Sequence, residues 1–245
     1  MDILGLILVV LAAALLLAFL PLARKGFPKL RGVPALSRLY HAVGLSVEDG
    51  TRLLISLGGP SLLTKSAAAA LAGLGLLRDT TQQTSLSDRP PVAVAGEAAL
   101  ALLAQDTLSS SFRAAGAPEL FQPVSARLAG LTPFSSTAGT IPILSDEHVS
   151  AAALVGHFGV EAALLADASE REGVMLIGAT DDPAAQAALF ASAAETLIGE
   201  EVYAGAAYVG GRAPHVASLA VQDILRWLII LGLLAGAALK ILGLV

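Results

Sequence analysis

The chain has no cysteine, which excludes disulfides, thiolate nucleophiles and thiolate metal ligands. It is also poor in charge. Asp, Glu, Lys and Arg make up 14% of its 245 residues, where a soluble domain carries roughly a quarter. Aromatic residues reach only 4%, while hydrophobic residues reach 55% and are largely alanine and leucine. That apolar excess must be buried in a core, in lipid or against partner subunits, and its small side chains suit close helix packing. Catalytic signatures are missing as well. No serine stands in a nucleophile elbow, and no Gly-x-Gly-x-x-Gly follows a strand. No short-period repeat of the solenoid kind is visible either.

What charge there is falls unevenly. Residues 24–38 hold five basic residues and no acid, whereas 161–201 hold nine acids against the single Arg171. With a net charge of −5, an acidic body lacks the basic face that nucleic acids require, so no nucleic-acid partner is expected.

Two apolar runs are present, one near each end. Ile3–Leu22 is uncharged throughout and long enough, at about 1.5 Å per residue, to cross a bilayer core of about 30 Å. No basic residue precedes it and no small-x-small cleavage site follows it, so an uncleaved span is expected rather than a signal peptide. Arg24, Lys25, Lys29 and Arg31 come next. By the positive-inside rule they place the following chain in the cytoplasm. Ile224–Val245 is the second span, with Arg226 and Lys240 near its ends, where long side chains reach the headgroups, and Trp227 as an interfacial anchor. The expected organisation is an N-terminal transmembrane helix (1–23), a cytoplasmic domain (24–223) and a C-terminal transmembrane helix (224–245). That is a two-pass protein of the inner, cytoplasmic membrane.

Between the spans the pattern alternates strand and helix, which predicts an α/β fold with a mostly parallel sheet covered by helices. Strands are expected at Thr51–Leu57, Val92–Ala95, Gln122–Leu128, Ser150–Val155 and Val174–Ile177. The last is continuously apolar, as a central parallel strand should be. Helices are expected within Arg31–Val47 and at Ser61–Leu77, Gly96–Ala115, Val160–Arg171 and Pro183–Ile198. Asp79–Pro91 and residues 129–149 read as loops, the second long and rich in Ser, Thr, Gly and Pro. An acidic turn is expected at Gly199-Glu200-Glu201, and Val202–Val209 fits either a strand or a helix.

Candidate chemistry is sparse. Gly58-Gly59-Pro60-Ser61, followed by Lys65 and Ser66, resembles a degraded phosphate loop, but Thr64 stands where glycine should precede the lysine. A tight turn opening a helix explains the same residues. Asp181-Asp182-Pro183 follows the apolar strand. Asp182 reads as a helix cap with Pro183 in the first turn, and a divalent cation held by Asp181 and Asp182 is the minority alternative. His157 and Glu161 are four apart and would share a helical face. That suggests a His–Glu hydrogen bond, since a metal site needs three or four ligands. Glu200 and Glu201 read as a charge pair opening a helix. No metal and no cofactor is implied.

Several of these residues carry a resemblance. Gly156-His157-Phe158 with Glu161, Gly173–Thr180 (GVMLIGAT), Leu197-Ile198-Gly199-Glu200-Glu201, Ala204–Tyr208, and Ser218-Leu219 with Gln222-Asp223 resemble a bacterial membrane-protein family whose domain has no known function. Ala104–Thr107 and His41–Gly50 extend the resemblance toward the N-terminus. It implies one α/β body running into a terminal membrane helix, with no stated activity, and leaves His157, Glu161, Glu200, Glu201, Gln222 and Asp223 as motif residues of unknown role. With two anchors, few surface charges and no catalytic constellation, the chain reads as a structural building block, not an enzyme. Its expected partners are the bilayer and further copies of itself in a homo-oligomer. The alternative is a membrane-tethered ligand-binding or sensory module using a crevice near Gly58–Ser61 and Asp181–Asp182, with no particular small molecule implied. An enzyme or transporter subunit is the least supported.

Overall fold

A computed structural model describes residues 3–26, 32–59, 62–192 and 195–242. The chain divides into two compact units. One is made from its two ends, Met1–Arg31 and Gly211–Val245; the other is the body, Gly32–Gly210.

In chain order the elements are α1 (Ile3–Arg24), α2 (Pro34–Glu48), β1 (Arg52–Gly58), α3 (Ala67–Thr84), β2 (Val92–Ala95), α4 (Ala98–Ala114) and β3 (Ala126–Leu128). There follow α5 (Pro133–Asp146), β4 (Val149–His157), α6 (Ala162–Arg171), β5 (Met175–Thr180), α7 (Pro183–Ala191), β6 (Glu195–Leu197), α8 (Gly205–Gly210) and α9 (Ala213–Ile241). Short 3-10 turns lie at Pro118–Leu120, Pro123–Ser125 and Gly199–Tyr203.

In the unit formed by the ends, α1 packs along α9. Both helices are long and apolar enough to cross a membrane, and almost none of either span is buried. α9 begins at Ala213, well before the expected Ile224, because Pro214 starts the helix and nothing between there and Arg226 stops it.

The body is α/β, with a six-stranded, all-parallel sheet in the order β3-β2-β1-β4-β5-β6. The four inner strands are almost wholly buried, which accounts for their continuous apolar runs. Side chains alternate between the two faces. Leu54, Val92, Val94, Ala152, Leu154 and Leu176 pack under α5, α6 and α7. Leu53, Ala151 and Met175 meet Ala42 and Val43 of α2 on the other face, which α3 also covers, with α8 packed on α2 and α3. α3 lies unusually close to the sheet. A Cβ on Gly73 would stand 2.4 Å from the Val155 carbonyl oxygen, so glycine sets that approach.

Four sequence expectations are corrected. Residues 129–149 are not irregular: α5 occupies 133–146, opened by Pro133 and a reciprocal Thr132–Ser135 capping box. The loop expected at Asp79–Pro91 is helical as far as Thr84: Thr80, Thr81 and Thr84 are buried, and each satisfies its hydroxyl on a carbonyl one turn earlier, so polar residues do not end the helix there. The helix expected over Pro183–Ile198 stops at Ala191, and Glu195–Leu197 forms the edge strand β6. The helix expected from Ser61 starts only at Ala67, after a turn. Val202–Val209 divides between a 3-10 turn and α8.

One ion network ties the start of β1 to the edge of the sheet. Arg52 meets Glu147 at 2.9 Å, and Arg127 also pairs with Glu147, which caps the end of α5. Burial pushes the Glu147 carboxyl up, but the Arg127 hydrogen bond and the charges of Arg127, Arg52 and Arg89 outweigh it and hold it below the ordinary glutamate range. A carboxyl so depressed contributes stability at neutral pH that is lost as pH falls through its folded value. Glu147→Gln is therefore expected to destabilise the protein by about 1–3 kcal/mol at neutral pH, leaving two arginines short of their partner. The gap between mutant and parent should narrow in acid. Denaturant midpoints measured from neutral pH down through the carboxylate range check both parts.

Candidate functional site

In an open parallel sheet, the loops leaving the carboxyl ends of the strands are not covered by the sheet's own helices. Where the strand order reverses, adjacent loops part to opposite faces and leave a crevice. Here the reversal falls between β1 and β4. The loop after β1 leads to α3 on one face and the loop after β4 leads to α6 on the other.

Three side chains converge at this point. Ser66, at the start of α3, places its Oγ 3.2 Å from Nδ1 of His157. His157 closes β4, and the same Nδ1 lies 2.7 Å from Oδ1 of Asp181, just beyond β5. A Ser–His–Asp relay requires the two ring nitrogens to face different partners. Here serine and aspartate share Nδ1, so the group holds the imidazole in place and forms no relay. Beside it, Thr180 clamps the ends of β4 and β5, its Oγ1 donating to the Phe158 carbonyl and accepting the Phe158 N–H, both at 3.1 Å. Burial and then the negative charge of Asp181 raise the Tyr203 phenol, which brings that ring within the field of the same crevice.

The glycine pair ties neighbouring strands together. Gly58 adopts a φ of +79°, its carbonyl accepts the Gly96 N–H at 2.8 Å, and the Gly59 N–H donates to the His157 carbonyl at 2.9 Å. The backbones of β1, β2 and β4 are thus drawn together beyond the strands themselves. Leu62 N–H, which a phosphate loop would offer to its ligand, donates to Oε2 of Glu97 at 3.3 Å. Lys65 is exposed, and Ser61 lies outside the described residues.

The remaining sequence candidates are placed as follows. Asp182 caps α7, accepting from the N–H groups of Ala184 and Ala185 at 2.7 and 3.0 Å, with Pro183 in the first turn. Asp181 belongs to His157 instead. His157 and Glu161 do not share a helix. One ends β4 and the other stands at the start of α6, where its Oε1 accepts the Gly159 N–H at 2.7 Å. The expected His–Glu bond is replaced by His157–Asp181, because neighbouring parallel strands bring their loops side by side whatever their separation in sequence. Glu200 and Glu201 lie in the 3-10 turn after β6. Gln222 and Asp223 lie in α9, in the other unit, where Asp223 stands 3.5 Å from Arg226 and the buried Gln222 Oε1 has no hydrogen-bond partner among the described residues. Among the described residues, no three His, Asp or Glu side chains gather to hold a metal.

Sequence reasoning missed a second feature, a small polar cavity between β1, α5 and the start of α6. Ser56, Ser136, Thr137, Thr140 and Glu161 line it, and it holds about 10 Å³ of water-accessible space. No spacing rule could find it, because its hydroxyls come from a strand and from a helix that reads as loop.

The architecture is thus a doubly wound α/β body whose strand order reverses between β1 and β4, with one apolar helix before it and one after it in the chain. The chain belongs to the DUF6754 family, a domain of unknown function whose profile matches residues 2–245. No curated protein and no solved structure matches it.

Proposed function

We propose that the chain is a membrane-anchored module whose body binds a small ligand in the crevice between the β1 and β4 loops. The observation that carries this reading is the meeting of Ser66, His157 and Asp181, from three separate loops, at the point where the strand order reverses. Helices α1 and α9 supply the anchor. Arg24 and Lys25 directly after the first apolar run support insertion in a bacterial inner membrane with the body in the cytoplasm. No reaction is assigned, since the histidine forms no relay.

Thermal melting of the full chain in lipid nanodiscs, across a library of small metabolites, tests the reading. A saturable rise in melting temperature that Asp181→Asn reduces is expected. A library that yields no such compound would overturn it.

A second reading is self-association into a larger scaffold through the body. It is favoured by large apolar side chains left in the open on the same edge: Leu63 at 98% exposure, Leu131 at 73% and Phe134 at 60%. The mass of the native particle in mild detergent decides it. Many copies in a ring or filament support the scaffold, and a monomer excludes it.

A further inference from the structure

We infer that the crevice is selective for a small primary amine, whose ammonium end enters the cavity beneath α5 and α6. This rests on the ligand-binding reading above and narrows it. The strand order is that of sheets that bind dinucleotides, yet the chemistry of this edge is unsuited to phosphate. Among the described residues of loops 58–66, 96–98, 157–161, 180–182 and 198–203, the carboxylates are Glu97, Glu161, Asp181, Asp182, Glu200 and Glu201, against Lys65 and His157. Such an edge repels anions and concentrates cations. The Leu62 amide, which a phosphate loop would offer to its ligand, already holds Glu97.

The cavity gives the cation a seat. Along the face of β1 that packs under α5 and α6, Leu54 belongs to the apolar core, but Ser56 follows and the layer turns polar. Ser56 and Thr137 are each only 3% exposed, line the cavity, and have no hydrogen-bond partner among the described residues. Glu161 is 7% exposed, and among the described residues only its Oε1 has a donor, the Gly159 N–H. A carboxylate this buried is costly unless several donors or a cation meet it. The Ser56 and Thr137 hydroxyls can each donate or accept, so the Glu161 carboxylate decides the sign of the guest and favours a cationic donor. The water-accessible space of about 10 Å³ admits about one group the size of a water molecule. An ammonium offers three N–H donors and a positive charge in that volume. The cavity touches Gly58 and Gly59, so the remainder of the ligand would leave along the crevice toward His157 and Asp181.

Calorimetric titration of the full chain in nanodiscs, at fixed ionic strength, tests this with methylamine, putrescine and ATP. Methylamine and putrescine should bind saturably, putrescine more tightly, and ATP not at all. Glu161→Gln should weaken amine binding by about tenfold or more, as loss of a charge-assisted contact does. Should that variant fail to fold, Thr137→Ala removes a hydroxyl that no group among the described residues holds and should weaken the amine by itself. Binding of ATP with no response to amines would overturn the amine inference and leave the crevice reading standing. Amine binding that neither variant alters would overturn the placement. Failure of both amines and ATP, together with a library that shifts no melting temperature, would end both readings.

Discussion

Replacing Gly58 with alanine is expected to cost about 3 kcal/mol or more, a large share of the roughly 5–15 kcal/mol that keeps an ordinary domain folded. Two effects add. The φ of +79° is one that side chains rarely adopt. In addition, the new Cβ would stand 2.4 Å from the His157 carbonyl oxygen and 2.8 Å from its nitrogen. Neither atom can yield, because His157 is fixed by the β4 ladder and by Asp181. Alanine at Gly59, whose Cβ would meet the same oxygen at 3.8 Å, is the matched control and should be tolerated. Circular dichroism melts of the two variants separate the outcomes. Equal stability of Gly58→Ala and Gly59→Ala would mean that the end of β1 is not held as described.

The second large effect lies two residues from a small one. Leu54 is fully buried at the centre of the sheet, beneath α5 and α6. Leu54→Ala removes a packed side chain from a wall that cannot collapse and should cost about 3 kcal/mol. Ser56 sits two positions on, facing the same way along the same strand. Ser56→Ala should change stability by no more than about 0.5 kcal/mol, since its hydroxyl has no partner among the described residues. Amine binding should nonetheless weaken. Denaturant titrations beside ligand titrations check the pair, and a large stability loss for Ser56→Ala would show that the hydroxyl is structural rather than free for a guest.

The inner strands could be read from the sequence because burial on both faces writes itself as an unbroken apolar run, as in Val92–Ala95 and in Met175–Thr180 as far as Ile177. The α7 start was equally legible, since Asp182 and Pro183 are a local signal for a local event. α5 was not. Its Ser, Thr, Gly and Pro content argues for a loop, and what overrides that is a cap, a hydroxyl of Thr140 returned to the Ser136 carbonyl, and Gly139 lying close to Ala129. β6 is three residues long and exists only because β5 offers it an edge. For the site, His157 could be singled out but not its partner. Asp181 reaches it because β4 and β5 are adjacent, and adjacency belongs to the sheet, not to the spacing. The hydroxyls of the cavity escaped for the same reason.

The pairing of β1 with β4 at the middle of the sheet has a kinetic consequence. When β1 leaves the ribosome, its β4 neighbour is still unmade, and everything from Gly59 to His148 must be synthesised before the two can meet. Closing so long a loop carries an entropic cost that precedes any gain from the ladder, which slows folding. In the interval β1, β2 and β3 can assemble on one another, but β1 then presents a bare apolar edge, the kind of edge that pairs with whatever strand is nearest. Where several copies are made close together, that strand would belong to another nascent copy. The vulnerable period of this protein is therefore its own synthesis, and it closes when His157 emerges.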